Sequence, residues 1–157
     1  MGAGKSSVGR RLAKKLGWKF IDLDEEIERR ERRQISEIFR EKGEPHFRTL
    51  ERRCLKDLSS SASKAVIALG GGAYVDPENR DVADTTGLTV WLKVSFDKLA
   101  SRVKIDGTRP KFADLDQTQR LFQTREPSYA MAKVHISTDD GTPDSVADEI
   151  AGAIRSS

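Results

Sequence analysis

Apolar residues recur along the chain at two spacings, and each predicts a different element. Val8, Leu12 and Leu16 fall at i, i+4 and i+8, with Arg10, Arg11, Lys14 and Lys15 between them, so an amphipathic helix is expected up to Gly17. Lys19-Phe20-Ile21 reads as a strand ending at Asp22, followed by a helix from about Asp24 to Arg33 with Ile27 on its buried side. Ser36 is placed to cap a short helix that holds Ile38 and Phe39 and closes at Gly43. Pro45 suits the first turn of a further helix carrying Phe47, Leu50, Leu55 and Leu58, and Ser59 to Ser63 reads as a polar loop. Ala65-Val66-Ile67-Ala68-Leu69 is a continuous apolar run ending in Gly70-Gly71-Gly72, the pattern of a strand covered on both faces.

The second half repeats the alternation. Pro77 starts a helix, Leu88 to Leu92 forms a third strand, and Ser95 caps a helix through Arg102. Lys104 to Leu115 is polar, with Gly107 and Pro110, and predicts a mobile loop. A helix through Gln123 is expected to end before Pro127, and Val134-His135-Ile136 is a last short strand. Thr142-Pro143-Asp144 gives the cap, proline and acid that open a final helix buried through Val146, Ile150 and Ile154. Alternating strands and helices imply an α/β fold with a parallel sheet, in one domain of 157 residues.

Composition narrows the function classes. The chain is 36% hydrophobic and 34% charged with a net charge of +3, and arginine clusters alternate with Glu25, Glu26, Glu28, Glu31 and Glu51. That alternation describes solvated helix faces with ion pairs, and without interleaved aromatics it argues against a nucleic-acid surface. Cys54 is the only cysteine, which excludes an intrachain disulfide and fits a reducing, cytoplasmic setting. No apolar run approaches the roughly 20 residues of a membrane span. His46 and His135 stand alone, without metal-ligand spacing.

The candidate chemistry sits at the start. Gly2-Ala3-Gly4-Lys5-Ser6, with Ser7 behind it, is the back half of a Walker A phosphate loop. Glycines let backbone N–H groups close on phosphate oxygens, Lys5 reaches the β- and γ-phosphates, Ser6 ligates Mg²⁺, and the next helix aims its positive end at the anion. The plain structural alternative is a flexible start running into an ordinary helix. The motif's first glycine would fall three residues before Met1, and the strand that feeds such a loop is not in the sequence either. That strand lies inside a parallel sheet, so its neighbours' backbone groups are expected to be unpaired, and a polypeptide beginning roughly ten residues upstream is expected.

Further motifs follow in order: Asp22-x-Asp24, Ile35-Ser36-Glu37-Ile38-Phe39, Gly43-Glu44-Pro45-His46-Phe47-Arg48 with Glu51, Leu69-Gly70-Gly71-Gly72, Thr108-Arg109-Pro110 and Arg125-Glu126-Pro127-x-Tyr129. Together with the phosphate loop they resemble shikimate kinase over essentially the whole chain. The resemblance implies a three-layer α/β/α fold of the P-loop nucleoside-monophosphate-kinase type. It implies ATP-dependent phosphorylation of the 3-hydroxyl of shikimate, with ATP and Mg²⁺ as cofactors, by a monomer with no membrane or nucleic-acid partner.

The family pattern assigns roles to individual residues. Lys5, Asp24 and Arg109 would be catalytic: Asp24 as the carboxylate that takes the proton of the attacking hydroxyl, Arg109 as the arginine of a lid over about 104–115. Asp22 would hold Mg²⁺ opposite Ser6. Arg48 and Arg125 would grip the acceptor's carboxylate with planar forks, and Glu51, a turn from Arg48, would orient it. Gly70, Gly71 and Gly72 would bring backbone amides close to the substrate, and Phe39 and Phe47 would wall the pocket. Arg102 and the Thr142-Pro143 turn would flank adenine. Each has a plain alternative, chiefly Asp22 or Asp24 as a helix cap and the arginines as solvent-facing charges. Arg32 stands where the family often has glycine, and Lys111-Phe112 where it usually has two aliphatic residues. The rival functions are a related small-metabolite kinase, such as a gluconate kinase, and a non-catalytic binding protein of the same fold.

Overall fold

The computed structural model describes residues 4–106 and 115–157, with the backbone alone at 102–106 and 115. Helix α1 (Lys5–Leu16) begins after Gly4 at φ 77° and ends at Gly17 at φ 69°, left-handed positions that glycine adopts without steric cost. Strand β1 (Lys19–Asp22), α2 (Leu23–Glu31), α3 (Ile35–Lys42), α4 (Glu44–Ser61) and β2 (Ala65–Ala68) follow. After the glycine turn come α5 (Pro77–Thr86), β3 (Val90–Lys93), α6 (Phe96–Asp106), α7 (Leu115–Tyr129), β4 (Val134–Ser137) and α8 (Pro143–Arg155). Among the described residues no helix is long and apolar enough to cross a membrane.

The strands pair in parallel, as the alternation predicts, but in two halves. β1 runs beside β2 in register from Lys19–Ala65 to Asp22–Ala68, and β3 beside β4 from Val90–Val134 to Lys93–Ser137. Among the described residues no ladder joins β2 to β3. Between them lies a cavity of about 460 Å³, lined by Val66 and Ile67 on one side, Val90 and Leu92 on the other, and Leu12 and Ile150 from the helices. Among the described residues the inner edges of β2 and β3 therefore have no ladder partner. They also explain why Ala65, Val66 and Ile67 are only half-buried, against the expectation of a fully covered strand.

Two apolar cores flank these half-sheets. One joins Leu23 and Ile27 of α2 to Ile38, Phe47, Leu50, Cys54 and Leu55 of α3 and α4. The other packs Val8 and Leu12 of α1 against Ile136 of β4 and Val146, Ala147 and Ile150 of α8. Cys54 is buried in the first, as a small core residue should be.

Several boundaries differ from expectation for identifiable reasons. Ser36 lies inside α3 and caps nothing; Gln34 is the cap position, and the free Ile35 N–H donates to Glu28 Oε2 instead. Ser59 to Ser61 continue α4, the Ser60 and Ser61 hydroxyls donating back to the carbonyls of Lys56 and Asp57. Pro127 lies within α7, which runs on to Tyr129, whose ring packs on Trp91 with centroids 6.1 Å apart. α2 ends at Glu31, and Arg32 takes the left-handed bend at φ 55°, where the family often has glycine. Thr142 caps α8 in a reciprocal pair with Ser145, as expected.

Candidate active site

The N-terminus of α1 and the C-terminal ends of β1 and β2 meet at one place. Lys5 opens α1 and shares the cavity's rim with Gly70, Gly71 and Tyr129. Ser6 Oγ donates to Asp22 Oδ2 at 3.1 Å. The other Asp22 oxygen, Oδ1, accepts from the Asp24 and Glu25 N–H groups and caps α2. Both readings of Asp22 hold, one per oxygen: the cap fixes the carboxylate's direction and leaves Oδ2 aimed at the hydroxyl. Ser7, one residue on, has its hydroxyl tied to Arg11 Nη1 at 2.7 Å.

Asp24 faces inward from the first turn of α2. A Cβ placed on Gly70 would sit 3.1 Å from Asp24 Oδ1, so the two touch as closely as side chain and backbone can. Burial pushes the Asp24 carboxyl above the usual carboxylate range, and the Asp22 and Glu28 charges push the same way. The cations Lys5 and Arg48 oppose the shift, which places both near this carboxylate. A carboxylate made more basic by its surroundings is suited to accept a proton.

Arg48 projects from α4 toward the glycine turn. A Cβ on Gly72 would lie 2.5 Å from Arg48 Nη2, so any larger residue here would push this guanidinium out of its place. Glu51, just 1% exposed, accepts from Arg48 Nη1 through both oxygens at 2.9 and 3.1 Å. Burial raises the Glu51 carboxyl, and the Arg48 hydrogen bonds and charge pull it back. Glu44, a turn earlier, takes Arg48 Nη2 at 3.1 Å. Phe47 lies in the core and Phe39 packs on it with centroids 4.9 Å apart, so both line the α3–α4 corner.

Arg125 stands on α7, where its charge acts on the Tyr129 hydroxyl. That hydroxyl donates to the Gly71 carbonyl, which brings α7 against the glycine turn. The structure therefore brings Lys5, Ser6, Asp22, Asp24, Arg48, Gly70, Gly71, Gly72 and Arg125 to one region. Pro143 opens α8 at the edge of the same helix pair, where neighbouring Asp144 pairs with Arg11 of α1 at 3.4 Å. Gly2, Ala3 and Arg109 lie outside the described residues, as do the Arg102 side chain and most of the expected lid over 104–115.

Two contributors escaped sequence reasoning. Glu44 carried a usable signal, the i, i+4 spacing to Arg48. Tyr129 had only its place in the Arg125-Glu126-Pro127-x-Tyr129 motif, which gave it no role, because its contact with Gly71 spans 58 residues.

Chemically, the region offers a helix N-terminus and Lys5 for phosphate, a basic carboxylate, and an arginine held ready for an anion. Among the described residues no three His, Cys, Asp or Glu side chains cluster as a metal cage. Ser6 and Asp22 are hard oxygen donors, which suits Mg²⁺, an ion that keeps waters and phosphate oxygens in its shell.

Comparison with known proteins gives matches along almost the whole chain. The family model described as shikimate kinase matches residues 1–155. The shikimate kinase of Persephonella marina is 40% identical over 99% of this chain and 94% of its own length. That of Caulobacter vibrioides is 46% identical over 99% of this chain and 78% of its own length. The solved shikimate kinase of Acinetobacter baumannii in complex with shikimate superposes with a TM-score of 0.91 at 36% identity, covering 99% of this chain and 89% of that one.

Proposed function

The chain belongs to the shikimate kinase family and is an ATP-dependent kinase acting on shikimate, and we propose that the residues gathered around Asp24 carry out the transfer. Arg48 and Arg125 bind the acceptor's carboxylate, and the glycine turn lies against its ring. Asp24 accepts a hydrogen bond from the 3-hydroxyl and takes its proton as the oxygen attacks the γ-phosphorus of ATP. One O–P bond forms, the bond to the β-phosphate oxygen breaks, and ADP leaves. Lys5 stays with the phosphates throughout, offsetting charge on the leaving side.

Ser6 and Asp22 fit Mg²⁺, which when bound to the nucleotide neutralises the charge of the β- and γ-phosphate oxygens. Positioning contributes more than acid–base chemistry in this reaction class, which suits an arginine locked in place before the substrate arrives. Arg109 and Arg102 complete the reading as the lid and adenine contacts, with the turn at Pro143 on the other side of the base, and the protein acts as a monomer.

The observation that carries the reading is the contact of Asp24 with Gly70 and of Arg48 with Gly72, a base and an anion grip at the two ends of one three-glycine turn. The test is ADP release coupled to shikimate, with gluconate as the control acceptor. Shikimate-dependent turnover, lost by at least roughly 10²-fold in Lys5→Ala with the melting curve unchanged, is expected. Turnover with gluconate alone, or near-normal activity in Lys5→Ala, overturns it.

A further inference from the structure

Three consecutive glycines give close approach at a cost. Gly70, Gly71 and Gly72 have no Cβ to restrict their backbone, so the peptide planes between them are free to flip unless something outside the turn holds them. One tie is internal, from the Ala73 N–H to the Gly70 carbonyl at 3.0 Å. The Asn79 side chain holds the Ala73 carbonyl, just past the three glycines, also at 3.0 Å. The Gly71 carbonyl is held from across the molecule by the Tyr129 hydroxyl.

We propose that Tyr129 is a positioning residue for the acceptor end of the site, fixing the Gly71–Gly72 peptide through the Gly71 carbonyl. A trans peptide is planar, so its C=O and N–H point in opposite directions. Holding the Gly71 carbonyl toward α7 therefore points the Gly72 N–H the opposite way within the same plane, away from α7. Gly72 is the residue against which Arg48 packs, so a flipped peptide would disturb the arginine as well as the amide. The same phenol lies beside Arg125, one turn earlier on α7, whose charge draws its ionisation down against the upward push of burial. One hydroxyl thus links the glycine turn to the helix that carries the second arginine. The proposal rests on the reading of Arg48, Arg125 and the glycines as the acceptor end.

The ring and the hydroxyl have separable roles. Tyr129 packs on Trp91, and Trp91 in turn meets His135 edge-on at 5.2 Å, contacts that phenylalanine would keep. Tyr129→Phe therefore keeps the ring contacts and removes the hydroxyl's bond to the Gly71 carbonyl together with its contact to Arg125. The experiment is steady-state kinetics of Y129F with each substrate varied, a thermal melt, and the Gly72 amide resonance followed by NMR. We expect KM for shikimate to rise roughly three- to tenfold, the effect of one net hydrogen bond. KM for ATP should hold, the melt should stay cooperative, and the Gly72 resonance should move. An unchanged shikimate KM overturns the proposal, as do parallel rises in both KM values or loss of the cooperative melt, which would mark a core residue only. Wild-type turnover is measured first. If the wild type leaves shikimate untouched, the function reading fails on its own, and the tether is judged by the Gly72 resonance, whose failure to move in Y129F overturns it.

Discussion

Asp24 shows how one side chain can trade stability for chemistry. Its carboxyl is raised by burial and by Asp22 and Glu28, more than Lys5 and Arg48 restore. The folded state therefore binds that proton more tightly than the unfolded chain does. Above the raised folded value the penalty is fully present; it is relieved as pH falls through that value. Asp24→Asn should accordingly melt at or above the wild-type temperature at pH 7 while kcat falls by roughly 10²–10⁴-fold. The wild-type kcat/KM should decline on the acid side at a pH above the ordinary aspartate value, and that limb should vanish in the variant. An unaltered pH profile in Asp24→Asn would remove its role as base. At this scale the sequence was most informative where residues act within a turn of each other, as Arg48 and Glu51 do, or share a motif, as Asp22 and Asp24 do. The meeting of Asp24 with Gly70 and of Tyr129 with Gly71 depends on tertiary closure, and no local pattern encodes it.

Helices and strands were legible where periodicity and punctuation agree, as in α1 with its Gly17 stop and α8 with its Thr142-Pro143 start. They were less so where a helix runs on through a proline, as at Pro127 within α7. The charged helix faces carry ion pairs, as their alternating signs predict. Glu26 on α2 binds Arg29 at 2.6 Å and Arg30 at 3.1 Å, and Arg30 reaches Asp57 on α4 at 2.9 Å. Hydrogen bonding from Arg29, then Arg30, lowers the Glu26 carboxyl from its ordinary 4.5 to about 2. A depressed folded value means stability that is fully present above pH 4.5 and lost as pH falls toward about 2. Arg29 is largely in solvent, so the contribution is about 1 kcal/mol at most. Denaturant melts of wild type and Glu26→Gln should differ by that amount near neutral pH and converge near pH 2. A gap that persists undiminished at pH 2 would mean the effect is packing and not charge.

The whole molecule is built around two parallel half-sheets whose inner edges, β2 and β3, face an apolar cavity. Backbone N–H and C=O groups on buried edges are costly to leave unpaired, and parallel strands are normally covered on both sides. The cavity has the chemistry of a strand position: no ladder between its two flanking strands among the described residues, Leu12 and Ile150 of the α1–α8 core along its lining, and Lys5 with Gly70 beside them. A strand running parallel to β2 would end beside Lys5, where it could lead directly into the turn that opens α1. Residues 1–157 by themselves are therefore expected to be poorly soluble and weak in ATP binding. A version with about ten apolar residues and the loop's first glycine placed ahead of Met1 should behave differently. Burying several aliphatic side chains at roughly 1.5–3 kcal/mol each adds several kcal/mol. At roughly 2–4 °C per kcal/mol for a domain this size, the melt should rise by about ten degrees or more. ATP should bind more tightly as well, because the added glycine extends the amide cradle around the phosphates. Thermal melts and ATP titrations of both versions decide the matter. Equal melting temperatures and equal affinities would mean that the two half-sheets are complete as they stand and that the cavity is not a strand position.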